Sequence, residues 1–143
     1  MSDKQPNQYL DESQHVGLVE SLSYIHEDLF ELENGQLDGF TLAYEAYGTL
    51  NEDGSNALLV CHALTGDHHA AGIRKDPSTE DLEQKPGWWN HVIGPGKAID
   101  TNKFYVVCSN CLGACQGSTG PASLKPAQEE ERYGMDFPEF TIH

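Results

Sequence analysis

The sequence predicts an α/β fold in incomplete form: an antiparallel hairpin leading into a mostly parallel sheet. Three observations carry this expectation. Residues 29–48, "LFELENGQLDGFTLAYEAYG", place two runs of strand character on either side of Asn34-Gly35, a dipeptide suited to the positive φ values of a tight hairpin turn. Residues 57–63, "ALLVCHA", and 103–110, "KFYVVCSN", are apolar at successive positions rather than alternate ones, as in a strand covered on both faces. No long amphipathic helix is legible in the 143 residues, although a sheet of that kind needs helices on its faces. The expectation is that the chain is the N-terminal part of a larger domain. A small, complete β-rich domain is the competing reading.

Each element has its own reason. Residues 1–15 are polar and are expected to fray as a flexible N-terminus, with the domain proper spanning 16–143. "VGLVESLSYIH", 16–26, is a strand candidate. In the second arm of the hairpin Phe40, Leu42, Tyr44 and Ala46 alternate with Thr41, Ala43, Glu45 and Tyr47, the period-2 pattern of a half-buried antiparallel strand. "NEDGSN", 51–56, reads as a turn. Between the two apolar strands lie a long polar loop and "PGWWNHVIG", 86–94, which predicts a helix of about two turns, limited by Pro86, Gly87, Gly94, Pro95 and Gly96. After residue 110 the chain reads as loop. "DFPEFTIH", 136–143, suits a helix start with Thr141 as N-cap.

Composition narrows the function. The net charge is -15, from 8 basic and 23 acidic residues, which argues against nucleic acid or an anionic membrane as partner. The acid is partly clustered in "STEDLEQ" and "AQEEER", both read as solvated loops. No apolar run approaches the roughly 20 residues of a membrane helix. The first residues carry no basic or apolar region of a signal peptide, so the expected location is cytoplasmic. In that reducing compartment Cys61, Cys108, Cys111 and Cys115 are expected as free thiols.

Several motifs invite chemistry. Cys108-x2-Cys111-x3-Cys115 resembles a metal-ligand spacing, but a tetrahedral site needs a fourth ligand, and Cys108 falls inside an apolar run where a small thiol packs well. "DHH", 67–69, lacks the further carboxylates that a metal-dependent phosphoesterase places after other strands. No metal site is expected. "IGPGKA", 93–98, has the wrong spacing for a phosphate loop. "QGSTG", 116–120, is one residue from a nucleophile elbow, but Gln116 stands where Gly is required and Ser118 lies well past the strand end. The strongest signal is "VCHALTG", 60–66. A buried strand ending in a His-Gly-like turn is where α/β-hydrolase-type enzymes place an oxyanion donor, here the backbone N–H near Ala63-Leu64. On this reading His62 holds the loop by hydrogen bonds and is not the catalytic base.

"YEAYGTLN", "CHALTGDHHAAG", "KPGWWNHVIGPGKAIDTNKFYVVCSNCLGACQGSTGPAS" and "YGMDFPEFTIH" together resemble the homoserine O-acyltransferases of methionine biosynthesis, in particular those that transfer acetyl. The blocks come in order over about residues 38–143. The resemblance implies an α/β-hydrolase fold, a Ser-His-Asp triad and an acyl group passed from acetyl-CoA through serine to the hydroxyl of L-homoserine, with no cofactor and with a homodimer for the full-length enzyme. Leu64 matches the family position whose backbone N–H forms half the oxyanion hole. The triad and the substrate-binding arginine of the family correspond to positions beyond residue 143, so the chain is expected to stop before the nucleophile elbow and to lack activity by itself. Succinyl transfer and a serine acceptor remain open within the same family, and a small non-catalytic domain holding a metal on cysteines remains the alternative of a different class. The Gly-rich segment 113–120 is either a wall of the substrate pocket or a surface loop.

Overall fold

The structure, a computed structural model, describes residues 14–74, 86–126 and 128–140. The predicted polar loop "STEDLEQ", the cap at Thr141 and most of the flexible N-terminus lie outside these residues. Among the described residues ten strands run in chain order: β1 (Leu18–Val19), β2 (Leu22–Leu32), β3 (Gly35–Tyr47), β4 (Ala57–Val60), β5 (Ile73–Arg74), β6 (Ile93–Gly94), β7 (Ile99–Asp100), β8 (Tyr105–Ser109), β9 (Leu124–Lys125) and β10 (Gln128–Arg132), followed by a 3₁₀ turn at Gly134–Asp136. Four of them form the main sheet in the order β2-β3-β8-β4. β2 and β8 both run antiparallel to β3, and β4 joins β8 in parallel, with Leu58 opposite Val106 and Val60 opposite Cys108. The hairpin therefore feeds a parallel pair, as the sequence predicts.

The hairpin turn differs by one residue from the sequence expectation. Leu32 pairs with Gly35, so Glu33 and Asn34 form the two-residue connection and Gly35 already belongs to β3. The register shifts between His26 and Leu29, opposite Gly39. A Cβ at Gly39 (φ 90°) would stand 2.7 Å from the His26 carbonyl oxygen, so the irregularity requires glycine there.

The alternation along β3 is real, but the deeply buried face is the less apolar one. Leu37, Ala43, Glu45 and Tyr47 are buried, whereas Phe40, Leu42, Tyr44 and Ala46 are only half-covered. The cause is a polar network around Glu45, described below. The core gathers Val19, Tyr47, Val60, Ala70, Ala71, Ile93, Val106 and Cys108, with Leu58 and Ile99 packed against it. It lies on one face of the sheet, beneath the segments that follow β4 and precede β8. The opposite face of β4 is open: Leu59 is 65% exposed. The expected burial of β4 on both faces is thus met on one, because the described residues contain no α-helix to cover the other.

"PGWWNHVIG" makes a single helical turn instead of the predicted two. The amides of Val92 and Ile93 donate to the Trp89 carbonyl, but those of Gly87, Trp88 and Trp89 are already committed to the carbonyls of Gly72, His69 and Ala70. Ile99 then bonds back to Val92, ending the turn. The region after residue 110, expected to be all loop, contains the small antiparallel pair β9–β10. Lys125 of β9 bridges Glu131 at 2.7 Å and Asp136 at 2.9 Å. The charges of "AQEEER" are in part spent locally on that pair. Among the described residues no helix is long and apolar enough to cross a membrane.

Candidate active site

Two loops at one end of the parallel pair, one following each strand, face each other across a cavity of about 990 Å³. His62 to Asp67 follow β4, Cys111 to Gln116 follow β8, and Trp88 contributes from the helical turn. The Gly-rich segment is therefore a cavity wall over residues 113–116. The walls are largely apolar, with Asp67 the carboxylate among them.

On the first loop, Gly66 N–H donates to the Ala63 carbonyl at 2.8 Å, closing a turn with Leu64 at its second position. The Leu64 side chain is fully exposed. Its own N–H has no acceptor among the described residues. The His62 ring turns back on this loop: its Nδ1–H donates to the Ala63 carbonyl at 2.8 Å. A carbonyl only accepts, so the proton sits on Nδ1.

What holds this loop to the sheet is the network around Glu45, whose side chain has no solvent exposure. The Tyr47 hydroxyl donates to Glu45 Oε2 at 2.7 Å and accepts from the amides of Ala70 and Ala71, each at 3.0 Å. All three of the hydroxyl's valences are thereby used. His69 Nδ1–H donates to the same Oε2 at 2.9 Å. Arg74 donates from Nε to Oε1 at 2.9 Å and pairs with Asp67 at 3.5 Å. The Asp67 carboxylate in turn accepts from the His69 amide at 2.9 Å, and its carbonyl accepts from the Trp88 indole at 3.0 Å. Burial by itself would push the Glu45 carboxyl up. The bonds from His69, Tyr47 and Arg74, together with the charge of His69, outweigh burial and hold it below the ordinary carboxylate value. His68 stands beside this group with Nε2 at 2.7 Å from Ser21 Oγ, and burial lowers its pKa. The histidines of "DHH" thus brace the loop against β3 and the β1–β2 connection.

The second loop is built on Asn110, which is 1% exposed. Its Oδ1 accepts from the Cys111 amide at 3.1 Å, and its Nδ2 donates to the carbonyls of Cys115 and Gln116. Ser118, buried, accepts from the Ala43 amide at 3.0 Å, and Thr119 Oγ1 accepts from the Thr41 amide at 2.8 Å. Ser118 is therefore a fastener between loop and strand, in keeping with its displacement from the strand end. Gln116 has φ 72°, the one left-handed non-glycine residue among those described.

The cysteines do not converge on an ion. Cys108 is in the core, Cys61, Cys111 and Cys115 are exposed, and among the described residues no three Cys, His, Asp or Glu form a ligand group. Sequence reasoning named the Leu64 turn but missed Glu45, Tyr47 and Arg74 as its supports. The available signal was a lone Glu inside an otherwise apolar-aromatic strand, "AYEAY".

No protein-family model matches the chain. Curated relatives do. Homoserine O-acetyltransferase of Methanobrevibacter ruminantium is 55% identical over 128 residues, which is 89% of this chain and 25% of that protein. Homoserine O-succinyltransferase of Acidithiobacillus ferrooxidans is 53% identical over the same share of this chain and 32% of its own length. Among solved structures, homoserine O-acetyltransferase from Bacillus anthracis superposes with a TM-score of 0.72 at 39% identity, covering 87% of this chain and 33% of that one. Esterase E22 superposes with a TM-score of 0.71 at 38% identity, covering 86% and 33%. The chain thus spans about a quarter to a third of the length of the proteins it matches.

Proposed function

This chain is homologous to the homoserine O-acyltransferases over 89% of its length and carries part of their α/β-hydrolase fold, and from that premise we propose that it forms the oxyanion-binding portion of an enzyme that acylates the hydroxyl of L-homoserine. The observation that carries the reading is the Leu64 turn: an exposed residue lining the cavity, on a loop braced by a buried network, with an N–H that has no acceptor among the described residues.

In this mechanism a serine oxygen, activated by a histidine, attacks the thioester carbonyl of the acyl donor. The carbonyl oxygen gains the negative charge, and the Leu64 N–H donates to it. A fixed donor of this kind stabilises the transition state by roughly 3 kcal/mol. The C–S bond breaks, the thiol leaves with the proton held by histidine, and homoserine attacks the acyl-serine by the reverse sequence. Serine, histidine, their aspartate and the second oxyanion donor come from polypeptide outside residues 1–143. The open Leu59 face of β4 supports that assignment, since an apolar sheet face of an α/β domain needs a covering layer. The donor we assign is acetyl-CoA.

The test grafts the matching 128 residues of this chain into the M. ruminantium enzyme. The graft is expected to transfer acetyl to homoserine, while the 143-residue chain alone shows no turnover. Leu64→Ala should leave the rate nearly intact. Leu64→Pro keeps the turn, since proline suits its second position, but removes the N–H, and should lower kcat about 100-fold. Equal effects of the two substitutions, or turnover by the 143 residues alone, would overturn the reading. A preference of the graft for succinyl-CoA would overturn the donor assignment.

A further inference from the structure

We propose that Gln116 binds an amide group in the pantetheine arm of the acyl-CoA donor. The inference rests on the acyltransferase reading and extends it to a specific contact in the cavity.

Gln116 lines the cavity with its backbone in the left-handed region, φ 72°. For a residue with a Cβ that conformation costs about 1 kcal/mol, a cost glycine would not incur. Gly113 and Gly117, on either side, adopt positive φ freely, so the loop uses glycine where only backbone shape matters. A strained residue persists when its surroundings over-determine it, and here they do. Asn110 Nδ2 holds the Gln116 carbonyl at 3.3 Å and the Cys115 carbonyl beside it. Two residues on, Ser118 and Thr119 fasten the chain to β3. Gln116 thereby stands in the cavity wall on a rigid base, in the loop that faces the Leu64 turn.

The chemistry of the wall selects the partner. Ala63, Leu64, Leu112 and Ala114 make it apolar around a neutral carboxamide that both donates and accepts. An amino acid acceptor carries full charges on its ammonium and carboxylate, which charged or multiply donating groups bind better. The arm of an acyl-CoA thioester is a chain of methylenes interrupted by amides. The Asp67 carboxylate on the same wall is already engaged by Arg74 and the His69 amide, and the largely apolar remainder with the Gln116 carboxamide matches that arm.

The variant Gln116→Gly separates this role from a structural one, because it relieves the strain while deleting the contact. In the graft it is expected to raise the urea midpoint and to raise KM for acetyl-CoA about 10-fold, the loss of one hydrogen bond. KM for homoserine and the rate with p-nitrophenyl acetate, which has no amide, should not move. Gln116→Asn, which keeps a carboxamide and tolerates the left-handed region, should recover part of the loss. An unchanged KM for acetyl-CoA, or an equal loss with p-nitrophenyl acetate, would overturn the proposal. Binding of pantetheine, followed by the fluorescence of Trp88 on the same cavity wall, needs no turnover. It should weaken about 10-fold in Gln116→Gly, and an unchanged affinity would refute the contact even if the unsubstituted graft were inactive, which would count against the acyltransferase reading instead.

Discussion

Tyr47 donates its hydroxyl proton to Glu45, two residues earlier on the same strand and the same buried face, at 2.7 Å, and the same oxygen receives the amides of Ala70 and Ala71. One side chain thus couples a buried carboxylate to the backbone of the loop that carries Leu64. The sheet strand and the loop are held as one unit, as the oxyanion role proposed for Leu64 requires.

Removing the carboxylate should be costly. Glu45→Ala removes the buried acceptor shared by Tyr47, His69 and Arg74, and a loss of about 3 kcal/mol is expected. Glu45→Gln keeps one acceptor and should lose less. Urea unfolding measures both. Equal stability of Glu45→Ala and the parent would show that the network contributes nothing.

Acid should weaken the fold in two stages. The pKa of His68 is lowered chiefly by burial, and that of His15 by burial and by Lys97. A histidine whose folded value lies below 6.5 binds its proton more readily when unfolded, so its contribution is complete above pH 6.5 and is lost as pH falls below it. The Glu45 carboxyl is also lowered, from 4.5, so its contribution is complete above pH 4.5 and is lost as pH falls further. Melting temperature should therefore decline from pH 6.5 downwards, and His68→Gln should flatten the upper part of that decline. A flat profile between pH 7 and pH 4 contradicts this.

The thiols should divide three to one. Burial pushes the Cys108 thiol up to about 12, and Glu45 and Asp67 add to the effect. Cys61, Cys111 and Cys115 are exposed. Ellman's reagent at neutral pH should modify three thiols quickly and Cys108 only on unfolding. Rapid modification of all four, or protection of Cys111 and Cys115 by added zinc, would argue against the arrangement described.

Gly87 should tolerate no side chain. A Cβ there would stand 2.2 Å from the Ala71 amide nitrogen and 2.3 Å from the Ala70 carbonyl carbon. Both belong to backbone that is itself pinned by Tyr47, so neither can move away. Gly87→Ala is expected to cost about 3 kcal/mol. Gly54, with nothing within 4 Å of its Cβ position and φ 70°, should lose only about 1 kcal/mol as alanine. Similar losses at the two sites would mean that the close approach at Gly87 is relaxed elsewhere.

The sequence by itself determined the hairpin about Asn34, the strand character of "ALLV" and "YVVCS" within a partly parallel sheet, and the turn that presents Leu64. These rest on local signals: period, turn residues, and the abrupt end of an apolar run. Only the tertiary structure decided which face of β3 is buried, because the alternation of apolar residues favours Phe40, Leu42, Tyr44 and Ala46, whereas the partners that make Glu45 tolerable inside, His69 and Arg74, arrive 24 and 29 residues later. The same holds for Ser118 and Thr119, whose partners on β3 lie 75 and 78 residues back, and for the left-handed Gln116, whose conformation is imposed by Asn110. A carboxylate or a hydroxyl in a sequence looks solvated until the chain brings it a partner, and that pairing is a property of the fold.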